Sequence, residues 1–594
     1  MRLIVAIVLL ALSTVSLAWG IAQRTLIDNP ETIDVVVEIP GSAPAVVIHG
    51  TDLQAFPGRQ TITIEGGVAG RVPDETGESL MVRSTNRVFA AYGRTVDVMA
   101  WLSPARHTQV RFDEESASFY ALPRSGSDLW LPNPEGSDLW VQEFSDTGSL
   151  SFQASIPEDV SVLIVSDGQL PAPQTMTLSW PLAVSSPLTT VVIVVGIASL
   201  VVGLGLILVH YILWRQRRGP RRKLTKRPRQ RAYRQPAKRA SSTPTRGRRR
   251  LQMAALPVVG AIVLGASGCG TQQAETSTPV DAEAPAPVEV QVPYPAVTEV
   301  QFSRIMARVA AQIQAADEEL SVDTLSSRVT EPTLQARRAA YIIKRADPES
   351  GTVIPIPSSP IRLVLPQQSQ GWPRSVFGII QDEQDTEAPS FGVVLTQQDA
   401  RSPYLLSYAI VLAPQVQLPD LPSARTGSAK LSPDSKLTRV SPADVLVHYA
   451  DVINEGAESA YLGEFALVTD ALFAAIGPQA EALRQESFGD SVSVEWVISP
   501  SEEEVIAFAT ADGGALVMGA LREIETVKPV QSGAAVNASI GVRALTALSS
   551  SVRGFEVESS IQILWYVPPV GSEDGIRVLG YTYSIVAAKE VESE

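Results

Sequence analysis

The chain has 594 residues, enough for three or four folded units at about 150 residues each. Hydrophobic residues make up 45% and charged residues 19%, which excludes a wholly disordered chain and points to membrane segments. The net charge of −15 hides an asymmetry, because residues 215–250 hold 17 Lys and Arg and no acid while the rest is strongly acidic; that balance argues against a nucleic-acid partner.

In chain order, residues 1–22 read as a signal peptide or a first transmembrane helix. Met1-Arg2 precedes the apolar run Leu3–Leu12, with small residues at Ala18 and Gly20. Either reading puts the following residues outside the cytoplasm. Residues 23–186 are expected to form an extracytoplasmic all-β domain, a sandwich or jelly-roll-like fold. Alternating runs at Thr32–Ile39, Gln60–Glu65, Val96–Trp101, Gln109–Phe112, Leu150–Ala154, Val160–Val165 and Thr175–Trp180 are its strands, and no amphipathic helix is expected. Gly126-Ser-Asp-Leu-Trp130 recurs as Gly136-Ser-Asp-Leu-Trp140 around a Pro-rich turn. As two strand starts, these would present Trp130 and Trp140 on one surface, a candidate binding face for glycans or envelope proteins; the competing reading is a pair of core anchors.

Residues 188–214 are uncharged and long enough to cross a bilayer as a helix. The basic stretch 215–250 then marks the cytoplasmic side and would contact anionic lipid headgroups. Residues 251–268 form a second membrane segment or a lipoprotein-type signal. Met253–Ala266 is short for a span, and it leads into Ala266-Ser267-Gly268-Cys269. That sequence resembles the lipobox of bacterial lipoproteins, with Ala266 where Leu is usual, and the resemblance implies lipidation at Cys269. Cys269 is the chain's one cysteine, so an intramolecular disulfide and a Cys-based zinc site are excluded. Residues 269–293 have the composition of a flexible tether.

Two similar α+β domains are expected at 294–424 and 436–594. The first opens on a capping box, Thr298 with Gln301, and a staple, Val297 with Phe302; the second opens on Ser441, Pro442 and Asp444. Phe302, Ile305, Met306, Val309 and Ile313 share one helix face, as do Val445, Tyr449, Val452 and Ile453 before a stop at Gly456. Strands follow at Ile361–Leu365, Val376–Gln381, Phe391–Thr396 and Leu405–Leu412, and at Ser491–Ile498, Glu504–Thr510, Ala515–Thr526, Val557–Val567 and Ile576–Ala588. This order of helices and strands resembles the NTF2-like cone. With the phrases Ser127–Trp130, Ser137–Phe144, Tyr404–Ala409 and Ser441–Gly456, the whole resembles an uncharacterised family of actinobacterial membrane-anchored envelope proteins. That resemblance carries no activity.

No catalytic, cofactor-binding or metal-ligating set emerges: Walker A, HExxH, CxxC and GxSxG are all missing. His49 and His107 read as ordinary polar residues, and His448 as a helical histidine that Asp444 could orient. The acidic runs Glu502–Glu504 and Asp382–Asp385 read as solvated loops. The expected function is a non-catalytic, membrane-anchored binding or assembly protein of the bacterial envelope. The alternative is a lipid or small-molecule carrier whose cavities are lined by Trp372, Trp496, Trp565, Tyr566, Tyr581 and Tyr583. An envelope hydrolase using carboxylates is a third possibility.

Overall fold

The computed structural model describes residues 2–22, 32–181 apart from 57, 67–68, 74–79 and 84–85, 187–217, and 294–592 apart from 352, 382–388 and 415. Cys269, most of the basic stretch, the lipobox-like segment, the tether and Asp382–Asp385 lie outside the described residues. Elements are numbered in chain order. The chain divides into two compact units.

In the first unit, α1 (Arg2–Ala22) packs along α4 (Pro187–Arg217). Val191–Arg215 within α4 is long and apolar enough to cross a membrane, with mean hydropathy 3.0. Small residues let the helices approach. A Cβ at Gly196 would meet Leu17 Cγ at 3.0 Å, one at Gly203 would meet Leu10 Cγ at 3.1 Å, and one at Gly20 would meet Ile193 Cγ1 at 2.6 Å. Glycines that bring helices this close are the usual contact chemistry of helices in lipid.

The second unit begins with β1 (Thr32–Glu38), β2 (Ala45–His49), α2 (Gly50–Leu53), β3 (Gln60–Glu65), β4 (Gly70–Pro73), β5 (Leu80–Arg83), β6 (Arg87–Arg94) and α3 (Thr95–Leu102). It continues through β7 (His107–Asp113), β8 (Ser118–Arg124), β9 (Gln142–Thr147), β10 (Ser149–Ala154), β11 (Val160–Val165) and β12 (Thr175–Pro181). Two sheets, ordered β1-β12-β3-β10 and β8-β7-β2-β11-β6-β9, face each other across a shared core. Ile62, Ile64, Met176, Leu178 and Trp180 come from one side, and Ile48, Ala90, Val162 and Ile164 from the other. The β4–β5 hairpin stands apart. The larger sheet is buried on its outer face too, where Val47, Phe89 and Leu163 meet Val98, Trp101, Leu139 and Trp140.

Val96–Trp101, expected as a strand, lies in helix α3. Val98 and Leu102, four apart, face the same core, and Asp97 sits in the first turn, where an acid suits the helix dipole. Over six residues, alternation and helical spacing are hard to separate. The Gly-Ser-Asp-Leu-Trp copies are not strand starts either, since both run through irregular backbone.

The unit resumes with α5 (Glu299–Glu319), α6 (Val322–Ser326), α7 (Thr333–Ala346) and β13 (Ile361–Pro366), β14 (Arg374–Ile380), β15 (Phe391–Gln397) and β16 (Leu405–Val411). Next come β17 (Lys430–Leu431), α8 (Pro442–Glu455), α9 (Ala471–Ile476), α10 (Pro478–Phe488), β18 (Val492–Pro500), β19 (Ile506–Ala509) and β20 (Ala515–Pro529). It ends with β21 (Val536–Asn537), α11 (Ile540–Thr546), β22 (Ser550–Ser551), β23 (Phe555–Val567) and β24 (Arg577–Glu590). Thr298 and Gln301 form the expected capping box on α5, and Ser441 caps α8 through the Asp444 N–H. The expected faces of both helices are buried, α5 against β13–β16 and α8 against β19, β20 and β23.

The two sheets of this region lie back to back. Phe377, Val394, Tyr408 and Ile410 of one pack against Phe508, Leu516, Met518 and Leu564 of the other. The order of layers is helix, sheet, sheet, helix, so most central strands are buried on both faces. Each half also uses a strand glycine to accept its helix. A Cβ at Gly378 would lie 2.3 Å from Phe302 Cζ on α5, and one at Gly519 would lie 2.7 Å from Leu446 Cδ2 on α8. Phe302 is fully buried and its ring has nowhere to go. Gly378→Ala is therefore expected to cost about 1–3 kcal/mol by overpacking, read as a lower denaturant midpoint with an unchanged slope.

Candidate functional site

The β-domain and the region from residue 294 meet at a polar junction built around two buried carboxylates. Asp97, in the first turn of α3, accepts from Arg94 Nε at 2.8 Å and from Arg374 Nη2, at the start of β14, at 2.7 Å. The side chains of Asp97 and Arg374 are 2% and 0% exposed. Arg94 also donates to the carbonyls of Pro295 (2.8 Å) and Ala296 (3.3 Å). Asp138, with a fully buried side chain, accepts from Arg328 Nη1 at 2.6 Å, Arg308 Nη1 at 3.3 Å and the backbone N–H of Tyr404 at 2.8 Å. Two cations and an amide on one carboxylate repay its desolvation, the condition for a charge to be tolerated in an interior.

The second Gly-Ser-Asp-Leu-Trp copy is the hub of this junction. Arg308 donates to Gly136 O (2.7 Å), Gln301 to Leu139 O (3.0 Å), and Arg304 to Trp140 O and to Val141 O (2.7 Å). The first copy takes part more weakly: Asp128 pairs with Arg401 at 3.7 Å, and Arg401 donates to Trp101 O at 2.9 Å. Trp140 has no exposed surface. Its indole N–H donates to Pro134 O, and its ring meets Trp101 edge-on at 5.4 Å. Trp130 is half-buried. The expected shared face of two Trp rings is therefore not formed, because Trp140 serves as a core anchor.

A second site is a cavity of about 260 Å³ between α9, α10 and strands β18, β20 and β24 of the second sheet. Three of the expected aromatics, Trp496, Tyr581 and Tyr583, line it with Glu481, Arg484 and Glu523. The other three do not. Trp372 stands at the junction under the Arg374 guanidinium, 3.7 Å from its ring centre, while Trp565 and Tyr566 are core residues. Glu523 points inward from β20 on the same face as Leu521 and is 4% exposed. Burial raises its carboxyl above the ordinary range, opposed by a hydrogen bond from Tyr583. Glu481 is pushed up to about 7 by burial and then by the neighbouring Glu523 charge.

A raised carboxyl holds its proton more tightly in the folded than in the unfolded chain, so stability falls as pH rises from the ordinary value of 4.5 through about 7. Glu481→Gln removes that loss. The variant is expected to be more stable than the parent at pH 8 by about 1 kcal/mol, discounted because Glu481 is partly solvated, and indistinguishable from it at pH 4. Thermal unfolding at the two pH values reads the difference.

His448 pairs with Glu464 at 2.7 Å and stacks on Tyr461 with ring centres 3.7 Å apart, while Asp444 turns back to Ser441. His49 bonds Ser161 Oγ at 2.7 Å, and burial lowers its basicity; Ser161 is itself fully buried, so this pair offers no accessible nucleophile. Among the described residues no group of three or more His, Cys, Asp or Glu is placed to hold a metal. Glu504, in the acidic run, pairs with Lys430 at 2.7 Å.

Residues 293–590, the whole four-layer region, match the family model described as Domain of unknown function (DUF8094). The chain belongs to the DUF8094 family. No curated protein and no solved structure matches it. The DUF8094 region supplies Arg308, Arg328, Arg374 and Arg401 to the junction; Asp97, Asp128 and Asp138 precede it in the chain. The family model spans both back-to-back sheets, in keeping with the core they share.

Proposed function

We propose that the protein is a non-catalytic, membrane-anchored binding or assembly protein of the bacterial cell envelope, in which the β-domain and the DUF8094 region act as one extracytoplasmic body. The buried junction at Asp97 and Asp138 carries this reading. Buried ion pairs shared by two modules support placing both on the same side of a membrane. If α4 leads into the cytoplasm at the basic stretch, the chain has to return between residues 218 and 293, and Met253–Ala266 is the apolar stretch available there. A lipid on Cys269 would anchor the returned chain, in line with its resemblance to a lipobox. The close fit of α1 on α4 favours retention of α1 as a second span over removal as a signal peptide. The helices α5 and α8, each laid on a sheet, suit an NTF2-like reading of the two halves.

The test is sidedness in intact cells. Glu115→Cys, in the β7–β8 turn, and Glu573→Cys, before β24, are both exposed and are each expected to react with a membrane-impermeant maleimide over the parental background. Labelling of Glu115→Cys alone would overturn the reading. A fatty-acid probe that labels the parent and not Cys269→Ser tests the lipid anchor separately.

A second reading has its own support. The cavity beneath α10 is of a size to take a small molecule, so the DUF8094 region serves as a carrier or receptor module within the same anchored body.

A further inference from the structure

We propose that the cavity between α10 and the second sheet takes a small organic cation, a protonated amine on an aromatic or short aliphatic body, with Glu523 as its counter-ion. This rests on reading the cavity as a ligand site. The first observation is an orphaned acceptor. Glu523 lines the cavity, and its Oε2 is buried without a hydrogen-bond partner. A buried acceptor left open costs free energy unless a ligand donor completes it.

The second observation is the charge around it. Glu481 on α10 and Glu525 on β20 join Glu523, and the cation near them, Arg484, is held by both oxygens of Glu525 at 2.7 Å. Glu481 and Glu523 therefore line the cavity without a hydrogen bond from Arg484, whose charge reaches Glu523 only at longer range. Tyr581 and Tyr583 on β24 and Trp496 on β18 place aromatic rings in the lining, a residue class whose faces attract a cation as well as an apolar body. An anionic ligand would meet uncompensated carboxylates here, and a neutral apolar one would leave Oε2 unpaired. A protonated amine answers both. Its charge would also draw the proton off Glu481, so binding strengthens with rising pH.

The experiment is calorimetric titration of the full chain in detergent with 2-phenylethylammonium and with 2-phenylethanol, its neutral counterpart. The ammonium is expected to bind at least tenfold more tightly than the alcohol at pH 8, and the preference to shrink at pH 6. Glu523→Gln should abolish the preference while leaving the alcohol's affinity in place. Glu481→Gln, on a partly solvated helix face where folding is not at stake, should reduce the preference and flatten its pH dependence. Equal binding of both probes would overturn the cationic class and keep the cavity as a ligand site. Binding of neither would overturn the cavity reading as well.

Discussion

Asp138→Ala is expected to cost about 3–5 kcal/mol of the stability of the extracytoplasmic body, more than an ordinary core truncation at a site of its size. The substitution removes one carboxylate that three donors share, the guanidinium groups of Arg308 and Arg328 and the backbone N–H of Tyr404. Arg308 keeps a second partner in Glu143 at 3.1 Å, whereas Arg328 keeps a carbonyl contact at 3.4 Å from Tyr404 O. The loss therefore falls mainly on Arg328, whose side chain is 16% exposed and is poorly placed to recover hydration. Thermal unfolding of the full chain reads the effect. If the midpoint stayed within the range of a surface substitution, the junction would not hold the two modules together.

Trp140→Ala is expected to cost about 3–5 kcal/mol, and Trp130→Ala less than about 1 kcal/mol, although the two residues end identical pentapeptides. Trp140 is fully enclosed, hydrogen-bonded to Pro134 O and packed edge-on against Trp101, so its loss leaves a cavity that the arginine-bound backbone on either side cannot close. Trp130 has solvent on part of its surface and no such clamp. Denaturant titration of the two variants side by side separates a structural anchor from a displayed aromatic. Equal effects would mean that the copies play the same part.

Legibility in the sequence followed the physics of each element. Helices α5 and α8 were readable at their starts because capping chemistry is local: Thr298 with Gln301, and Ser441 with Asp444, act across three residues. Strands β1, β3, β10 and β12 were readable because one face is buried and the other wet, which writes alternation into the chain. Strand β2, Ala45–His49, escaped because Ala45–Ile48 is a short apolar run without alternation, in a sheet covered on both faces where the longer run of β11 was read. The back-to-back sheets were hidden for a related reason, since burial on two faces does not say what covers the second.

The junction was beyond reach because its partners are far apart in the chain: Asp138 lies 190 residues from Arg328 and 266 from Tyr404. The repeat that singled out Trp130 and Trp140 was a true signal, and its informative residue was the aspartate. A charge directly before Leu139 and Trp140, two core side chains, asks for a buried partner. The cavity left a fainter trace. On β20, Leu521, Glu523, Glu525 and Val527 share the inward face, so two acids stand in register with core positions.

The most direct test of the account is cleavage of the connecting chain. A protease site inserted between residues 270 and 293 would be cut in detergent, and the β-domain fragment recovered by an N-terminal tag. The DUF8094 fragment is expected to stay bound through high salt, because Asp97, Asp138 and Arg374 are shielded from solvent ions, and Asp138→Ala to release it. Separation of the two parental fragments at ordinary ionic strength would contradict it.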